Sequence, residues 1–204
     1  MMSVSLSAAL LVCVCVCVSE SCTCYSAHPQ ELFCSSSIVM RAEVTGEKNI
    51  PGDINRGGMG KVQYDIKVMK VFKGSSDRIK LIQHAYTSEM SSLCGVVLDH
   101  GQYLLSGEIM YERFSITLCD LIMRWDGLSL MQKNNFKYRY QKGCDCKISS
   151  SCTYQPCQPS AESECVFDDW YSLRSLHEAA CIRHSDGSCN WYTGTAKNHT
   201  HTDA

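Results

Sequence analysis

Three residues, Cys22-Thr23-Cys24, combine features that could act on a metal ion. If Cys22 is the first residue of the mature chain, its α-amino group has a pKa of about 7.7–8.0, so a useful fraction is neutral near physiological pH. A neutral amine and the carbonyl oxygen of the same residue can close a chelate ring on a metal. Catalytic zinc in a protease keeps one coordination position open for water or substrate. An amine and carbonyl placed there would displace the water that performs hydrolysis. Such a device needs a rigid N-terminus, which two cysteines in three residues could clamp through disulfides. The plainer reading is that C-x-C staples the end of a strand, and spacing alone favours it.

Other constellations are weaker. Cys144-x-Cys146 and Cys152-x4-Cys157, with His177 and His184 nearby, could bind a metal. They do not make paired C-x2-C sites, and in an oxidising compartment disulfides compete for the thiols. His177-Glu178-Ala179-Ala180-Cys181 nearly matches the zincin H-E-x-x-H pattern, but its last position is a cysteine and no third ligand has matching spacing. There is no G-x-S-x-G elbow and no cysteine-protease signature, so nothing raises an enzyme above its base rate.

Whether Cys22 can be first depends on what precedes it. Ser3 to Val18 is almost wholly apolar or small, too short to span a bilayer comfortably but right for a signal-peptide core. Ser19 and Ser21 are small residues three and one places before Cys22, which fits cleavage after Ser21. The run lacks the usual preceding Lys or Arg. A bacterial lipoprotein signal also ends before a Cys, but it wants an apolar residue where Ser19 sits. Cleavage removes Cys13, Cys15 and Cys17 from the 15 cysteines and leaves an even twelve. An even count in a secreted chain implies a disulfide framework of up to six bridges, whose connectivity spacing cannot decide. No later stretch is long and apolar enough for a transmembrane segment, so the mature chain is expected in the extracellular space or matrix.

The whole chain has 204 residues, 45% hydrophobic and 20% charged, with 19 Lys+Arg against 21 Asp+Glu. That is a globular composition with no basic excess for nucleic acid. Five cysteines lie between Cys22 and Cys119 and seven between Cys144 and Cys189, which puts a boundary near Asp145. The first region can build an ordinary core; the second needs staples. Strands are expected at Ile38–Val44, Val62–Val68 with a bulge at Met69–Phe72, Ile79–Tyr86, Gln102–Ile109 and Phe114–Cys119. Asn49 to Gly60, with Pro51 and four glycines, reads as an exposed hairpin connection. Helices are expected at Pro29–Cys34 and from Ser129, whose Gln132 makes a capping-box pattern, to about Tyr140. This set suits a small closed barrel such as an OB-fold, with a β-sandwich as runner-up. In the second region, Cys165–Trp170 and Ser172–Cys181 are expected to hold a helical turn or two, and Ser185–Ser188 a turn. Asn198-His199-Thr200 is an N-glycosylation acceptor pattern.

Cys22-Thr23-Cys24, His28-Pro29-Gln30 and Phe33-Cys34 resemble the start of the tissue inhibitors of metalloproteinases. Similar to that family too are Val39-x-Arg41-Ala42, Tyr64-x-Ile66-Lys67, Met69-Lys70-Val71-Phe72-Lys73-Gly74, Ser92-Leu93-Cys94-Gly95 and Tyr103-Leu104-Leu105-x-Gly107. The likeness continues through Leu118-Cys119-Asp120, Gly143-Cys144-Asp145-Cys146-Lys147, Glu164-Cys165-x3-Asp169-Trp170 and Ser185-Asp186-Gly187-Ser188-Cys189-x-Trp191-Tyr192-x-Gly194. It spans nearly all of residues 22–194.

The resemblance implies a mainly β chain: a signal peptide over 1–21, an OB-like (netrin-like) inhibitory domain over 22–144 with short helices, and a small disulfide-rich domain over 146–204. It implies the bridges Cys22–Cys94, Cys24–Cys119, Cys34–Cys144, Cys146–Cys189, Cys152–Cys157 and Cys165–Cys181. It also implies that the Cys22 amine and carbonyl ligate the catalytic zinc of a target enzyme, with no cofactor of the inhibitor's own. Thr23 would enter the pocket beyond the scissile bond, Cys24, Tyr25 and Ser26 would continue along that side, and Ser91, Ser92 and Leu93 would fill the other. The implied partners are matrix metalloproteinases and related zinc proteases, with a progelatinase engaged through the second domain. Three features depart from the pattern. The 49–60 loop is short and lacks an aromatic tip, Tyr25-Ser26 replaces a Pro-containing stretch, and the tail after Gly194 lacks an acidic, apolar end. The rival reading is a netrin-like extracellular module that binds matrix or a cell-surface receptor without blocking a protease.

Overall fold

A computed structural model describes residues 22–53, 58–149, 158–167 and 177–194. The expected signal peptide, Cys152, Cys157 and Asn198 lie outside the described residues. Among those residues no helix is long and apolar enough to cross a membrane.

The first part is a closed five-stranded barrel. β1 (Ile38–Ile50) and β2 (Lys61–Lys73) form a long antiparallel hairpin, and β2 pairs antiparallel with β3 (His84–Ser88). β3 runs parallel to β5 (Arg113–Ser115), which is antiparallel to β4 (Gly101–Met110), and β4 returns to β1 to close the ring. β6 (Ile122–Arg124) adds to the free side of β4 at Tyr103–Leu105. This order is that of an OB-fold. Side chains alternate across the wall. Met40, Ala42 and Val44 of β1, with Tyr64, Ile66, Ala85, Tyr103, Leu105 and Phe114, fill the interior. Val39 and Leu104 point outward into a second cluster with Phe33, Leu121, Leu128, Phe136, Tyr140 and Ala180. β4 is therefore buried on both faces, which accounts for its unbroken apolar run.

Register shifts of β1 against β2 fall at Val39/Met40, Arg41/Ala42 and Val44/Gly46, skipping Phe72 and Met69 on the partner strand. The expected bulge is there, and it turns the hairpin into a barrel corner. α1 (Pro29–Ser35) begins with a full capping box: the His28 side chain accepts from the Gln30 N–H and Glu31 accepts from the His28 N–H. α3 (Leu130–Asn134) starts at Ser129 with the reciprocal Ser129–Gln132 pair.

Several expectations need correction. The strand expected at Ile79–Tyr86 begins only at His84, because Ser76–Ile79 forms the single helical turn α2 and drops Ile79 into the barrel core. The strand expected at Phe114–Cys119 stops at Ser115, and a turn closed by Asp120 follows. The helix expected from Ser129 to Tyr140 stays helical but changes pitch: α3 gives way to a π turn over Asn135–Arg139 and a 3-10 turn over Tyr140–Gly143. Phe136 and Tyr140 are both drawn into the outer cluster there, and Asn135 donates to the carbonyls of Glu178 and Ala179. Of the two stretches expected to hold a helical turn, Cys165 sits on a strand, residues 177–178 are helical, and 168–170 and 172–176 lie outside the described residues.

The second part consists of two small ladders. β7 (Lys147–Ser149) pairs parallel with β8 (Glu164–Val166), and β9 (Ala180–Arg183) pairs with β10 (Cys189–Tyr192) as a hairpin. Its turn at Ser185–Ser188 carries Gly187 at φ 91°. The side chain of Gln30 joins the two parts: it donates to the Cys181 carbonyl at 2.7 Å and accepts from the Cys181 N–H at 2.7 Å. The backbone at Gly143 approaches so closely that a Cβ there would lie 1.9 Å from the Cys181 oxygen.

Glu164 is the buried acid of the second part. It accepts from the Ser160 hydroxyl and N–H, the Ser149 hydroxyl and the Lys147 ammonium at 2.5–2.9 Å. These donors, the Ser160 hydroxyl foremost, hold its pKa far below the ordinary glutamate range. A depressed folded pKa stabilises the fold in full above the unfolded value of about 4.3, and that contribution is lost progressively as pH falls from there through the lower folded value. Glu164→Gln should therefore lower the melting temperature at neutral pH. The difference from wild type should persist near about pH 4 and close only in stronger acid. Thermal melts at a series of pH values would check this, and a difference independent of pH would remove the charge from the explanation.

Candidate functional site

Residues 22–28 belong to no helix or strand ladder, so other interactions must hold them. Two bridges do so. Cys22 is joined to Cys94 and Cys24 to Cys119, with Cα–Cα distances of 5.1 and 5.2 Å. A third, Cys34–Cys144, ties α1 to the 3-10 turn after α3. The two N-terminal bridges bring three separate pieces of chain together: 22–26, the 3-10 turn Ser91–Leu93, and Thr117–Cys119. The Leu118 N–H donates to the Cys94 carbonyl at 2.9 Å, which locks the last two side by side.

The outer face of this assembly is solvent-facing. Thr23, Tyr25, Ser26, Ser91, Ser92 and Leu93 are exposed, Tyr25 by 80% and Leu93 by 44%. The bridges thus bring the two segments implied by the resemblance next to each other, with Cys22 and Cys24 themselves half-buried. Leu118, 55% exposed, joins them. Nothing in its local sequence marks it for the site; the Cys24–Cys119 bridge and the hydrogen bond to Cys94 make it a neighbour of the N-terminal segment.

The ridge has a rigid base. The buried Tyr64 hydroxyl donates to the Val96 carbonyl and accepts from the Leu98 N–H, both at 3.0 Å. Burial pushes its phenol pKa up, so it stays a neutral donor. Thr87 accepts from the Val96 N–H at 3.1 Å. The turn itself closes through Leu93 and Gly95 N–H groups on the Met90 carbonyl and Cys94 on Ser91. Cys94 lies in the left-handed region at φ 58°, a conformation a non-glycine residue adopts only when its surroundings impose it. Gly95 is required by close approach, since a Cβ there would sit 2.2 Å from the Ser88 oxygen. On the other flank, the Asp120 carboxylate accepts from the Thr117 N–H and hydroxyl at 2.8 and 2.9 Å and shapes the turn that presents Leu118. Burial raises the Asp120 pKa despite those bonds.

The other sequence candidates have different roles. Cys144 is bridged to Cys34 and Cys146 to Cys189, so neither offers a thiolate to a metal. Cys181 is bridged to Cys165, which removes the last ligand from the H-E-x-x-H-like run. His177 packs edge-on to His28, and His28 also packs on Trp191 with ring centroids 5.2 Å apart. His28 is 2% exposed and acts as the cap of α1 within the seam between the two parts.

Chemically, the outer face has the features of a binding edge: backbone and small side chains flanked by apolar Tyr25, Leu93 and Leu118, on a base that cannot relax. The family model described as tissue inhibitor of metalloproteinase matches residues 20–191. Metalloproteinase inhibitor 2 of Rattus norvegicus is 42% identical over 188 residues, covering 87% of this chain and 84% of that protein. Metalloproteinase inhibitor 2 of Homo sapiens gives the same figures. Metalloproteinase inhibitor 4 of Mus musculus is 40% identical over 185 residues, covering 86% and 82%. The match runs through the ridge, the barrel and the second pair of ladders, and the chain belongs to the tissue inhibitor of metalloproteinase family.

Proposed function

We propose that this chain is a secreted, stoichiometric inhibitor of zinc metalloproteinases of the matrix type, acting as a plug and not as an enzyme. Cleavage after Ser21 would make Cys22 the first residue. Its amine and carbonyl would then ligate the catalytic zinc of the target, taking the position of the water that hydrolyses peptides. Thr23 follows into the pocket beyond the scissile bond, Cys24, Tyr25 and Ser26 extend along it, and Ser91, Ser92 and Leu93 cover the opposite side. Residues 22–144 would be the inhibitory unit and 146–204 an accessory one. The observation that carries this reading is the double staple: Cys22–Cys94 and Cys24–Cys119 set the N-terminal residues beside an exposed turn on a fixed base. A ridge already in its bound shape loses little ordering entropy on association, and protease–inhibitor contacts of ordinary area can be among the tightest known.

The decisive residue is the first one. N-terminal sequencing of the secreted protein should begin at Cys22. Adding one alanine before Cys22 should weaken inhibition of a matrix metalloproteinase by about a hundredfold or more, each tenfold being about 1.4 kcal/mol, while leaving thermal stability unchanged. A receptor-binding module would be indifferent to the extension, and full potency in the extended protein would end the chelation mechanism.

The base of the ridge gives an independent test. Tyr64→Phe removes one hydroxyl and leaves the Val96 carbonyl and Leu98 N–H unpaired in a buried place. It should cost about 1–3 kcal/mol of stability and weaken inhibition, because the Cys94–Leu98 segment loses its anchor. Denaturant unfolding and inhibitor titration would read the two effects. Unchanged stability would mean that water replaces the hydroxyl and the anchor is dispensable.

A further inference from the structure

The two bridges that hold the ridge are not independent. All four sulfurs, of Cys22, Cys24, Cys94 and Cys119, lie within 4.8 Å of one another. Across the bridges, the Cys94 and Cys119 Sγ atoms are 3.8 Å apart. Neither carries a proton, so this is a sulfur–sulfur contact and not a hydrogen bond. All four residues are half-buried, within reach of a small molecule in solvent.

Disulfides exchange when a thiolate attacks one sulfur and expels the other. The geometry points to a sulfur relay: we propose that a low-molecular-weight thiol attacking the N-terminal end of either bridge converts the pair to a new Cys94–Cys119 bridge and frees the N-terminus. An external thiolate attacks the Cys24 sulfur, forms a mixed disulfide with it and expels the Cys119 thiolate. That thiolate attacks the neighbouring Cys94 sulfur, forms the Cys94–Cys119 bond and expels the Cys22 thiolate. Two disulfides and one thiolate enter, and two disulfides and one thiolate leave. Entry at Cys22 runs the same way through Cys94 and ends on the same new bridge, with Cys24 as the final thiolate. The ridge loses both staples after a single attack, while the two barrel segments behind it become joined to each other.

The second part contains a control of the same kind. The sulfurs of Cys146, Cys181 and Cys189 also lie within 4.8 Å of one another, but Cys181 and Cys189 are buried, as is Cys165, the partner of Cys181. Proximity is shared; access is narrower, because only Cys146 of these four cysteines is half-buried whereas all four ridge cysteines are. The ridge is therefore the favoured place of attack.

The effect on inhibition rests on the role proposed for Cys22; the sulfur chemistry does not. The intact secreted protein would be incubated with graded glutathione, quenched by alkylation in acid and mapped by peptide mass spectrometry, with residual inhibition of a matrix metalloproteinase measured in parallel. The relay predicts a Cys94–Cys119 peptide as the first new species. One of Cys22 and Cys24 should carry glutathione and the other the alkyl group, with Cys146–Cys189 and Cys165–Cys181 intact. Potency should fall in proportion to that peptide. Opening of one ridge bridge with the other intact, both freed cysteines alkylated and no Cys94–Cys119 peptide, would overturn the relay. If the new bridge forms and potency is retained, the relay stands and the assignment of Cys22 to the target's zinc falls instead.

Discussion

A run of chain that lies outside every strand ladder keeps one shape only when something else fixes it. Fixing each residue's backbone costs about 1–2 kcal/mol, and residues 22–26 have no ladder to supply it. Here the cost is met covalently, during folding, by Cys22–Cys94 and Cys24–Cys119. Everything else in the first part serves those two anchor points. The barrel places Cys94 after β3 and Cys119 after β5, and β3 and β5 are the parallel neighbours of the ring. Their following loops therefore emerge side by side at one end, and the N-terminal segment is laid across both. A fold with those strands separated could not offer two anchors about one residue pair apart.

The anchors are in turn kept still by groups that carry no binding chemistry. Within the barrel core Tyr64 bonds the backbone of Val96 and Leu98, and Asp120 folds the Thr117 turn back on itself. On the far side of α1, Gln30 closes a pair of hydrogen bonds with Cys181 and Asn135 closes two more with residues 178–179. These buried amides use both their donors and their acceptors. They fix the second set of ladders against the helix that follows the ridge. The seam is polar at its centre and apolar around it, with Phe33, Phe136, Tyr140 and Ala180 in one cluster.

Much of the fold was legible because its signals are local. Alternation in Val62–Val68, the slip at Met69–Phe72 and the two capping boxes each depend on residues a few positions apart, and the structure carries all of them. The errors have a common cause as well. Ile79 looked like the start of a strand because it is β-branched, but its side chain reaches the core from a helical turn. β6 escaped notice because Ile122–Arg124 is three residues long and exists only as an addition to β4. The four described strands of the second part are only three or four residues long, and the bridges Cys146–Cys189 and Cys165–Cys181 cross between their ladders.

The sequence by itself determined the Cys22-Thr23-Cys24 start, the strand alternation that suits a small barrel and the even complement of cysteines after Ser21, because each is written in residue type or short-range spacing; the ridge residues were implied by the family resemblance. Only the tertiary structure decided which surfaces meet. It brought Leu118 to the N-terminus, gave Gln30 and Tyr64 their partners 151 and about 32 positions away, and set two bridges in sulfur contact. Pairings over such distances are chosen by packing and chain closure, which no local pattern encodes.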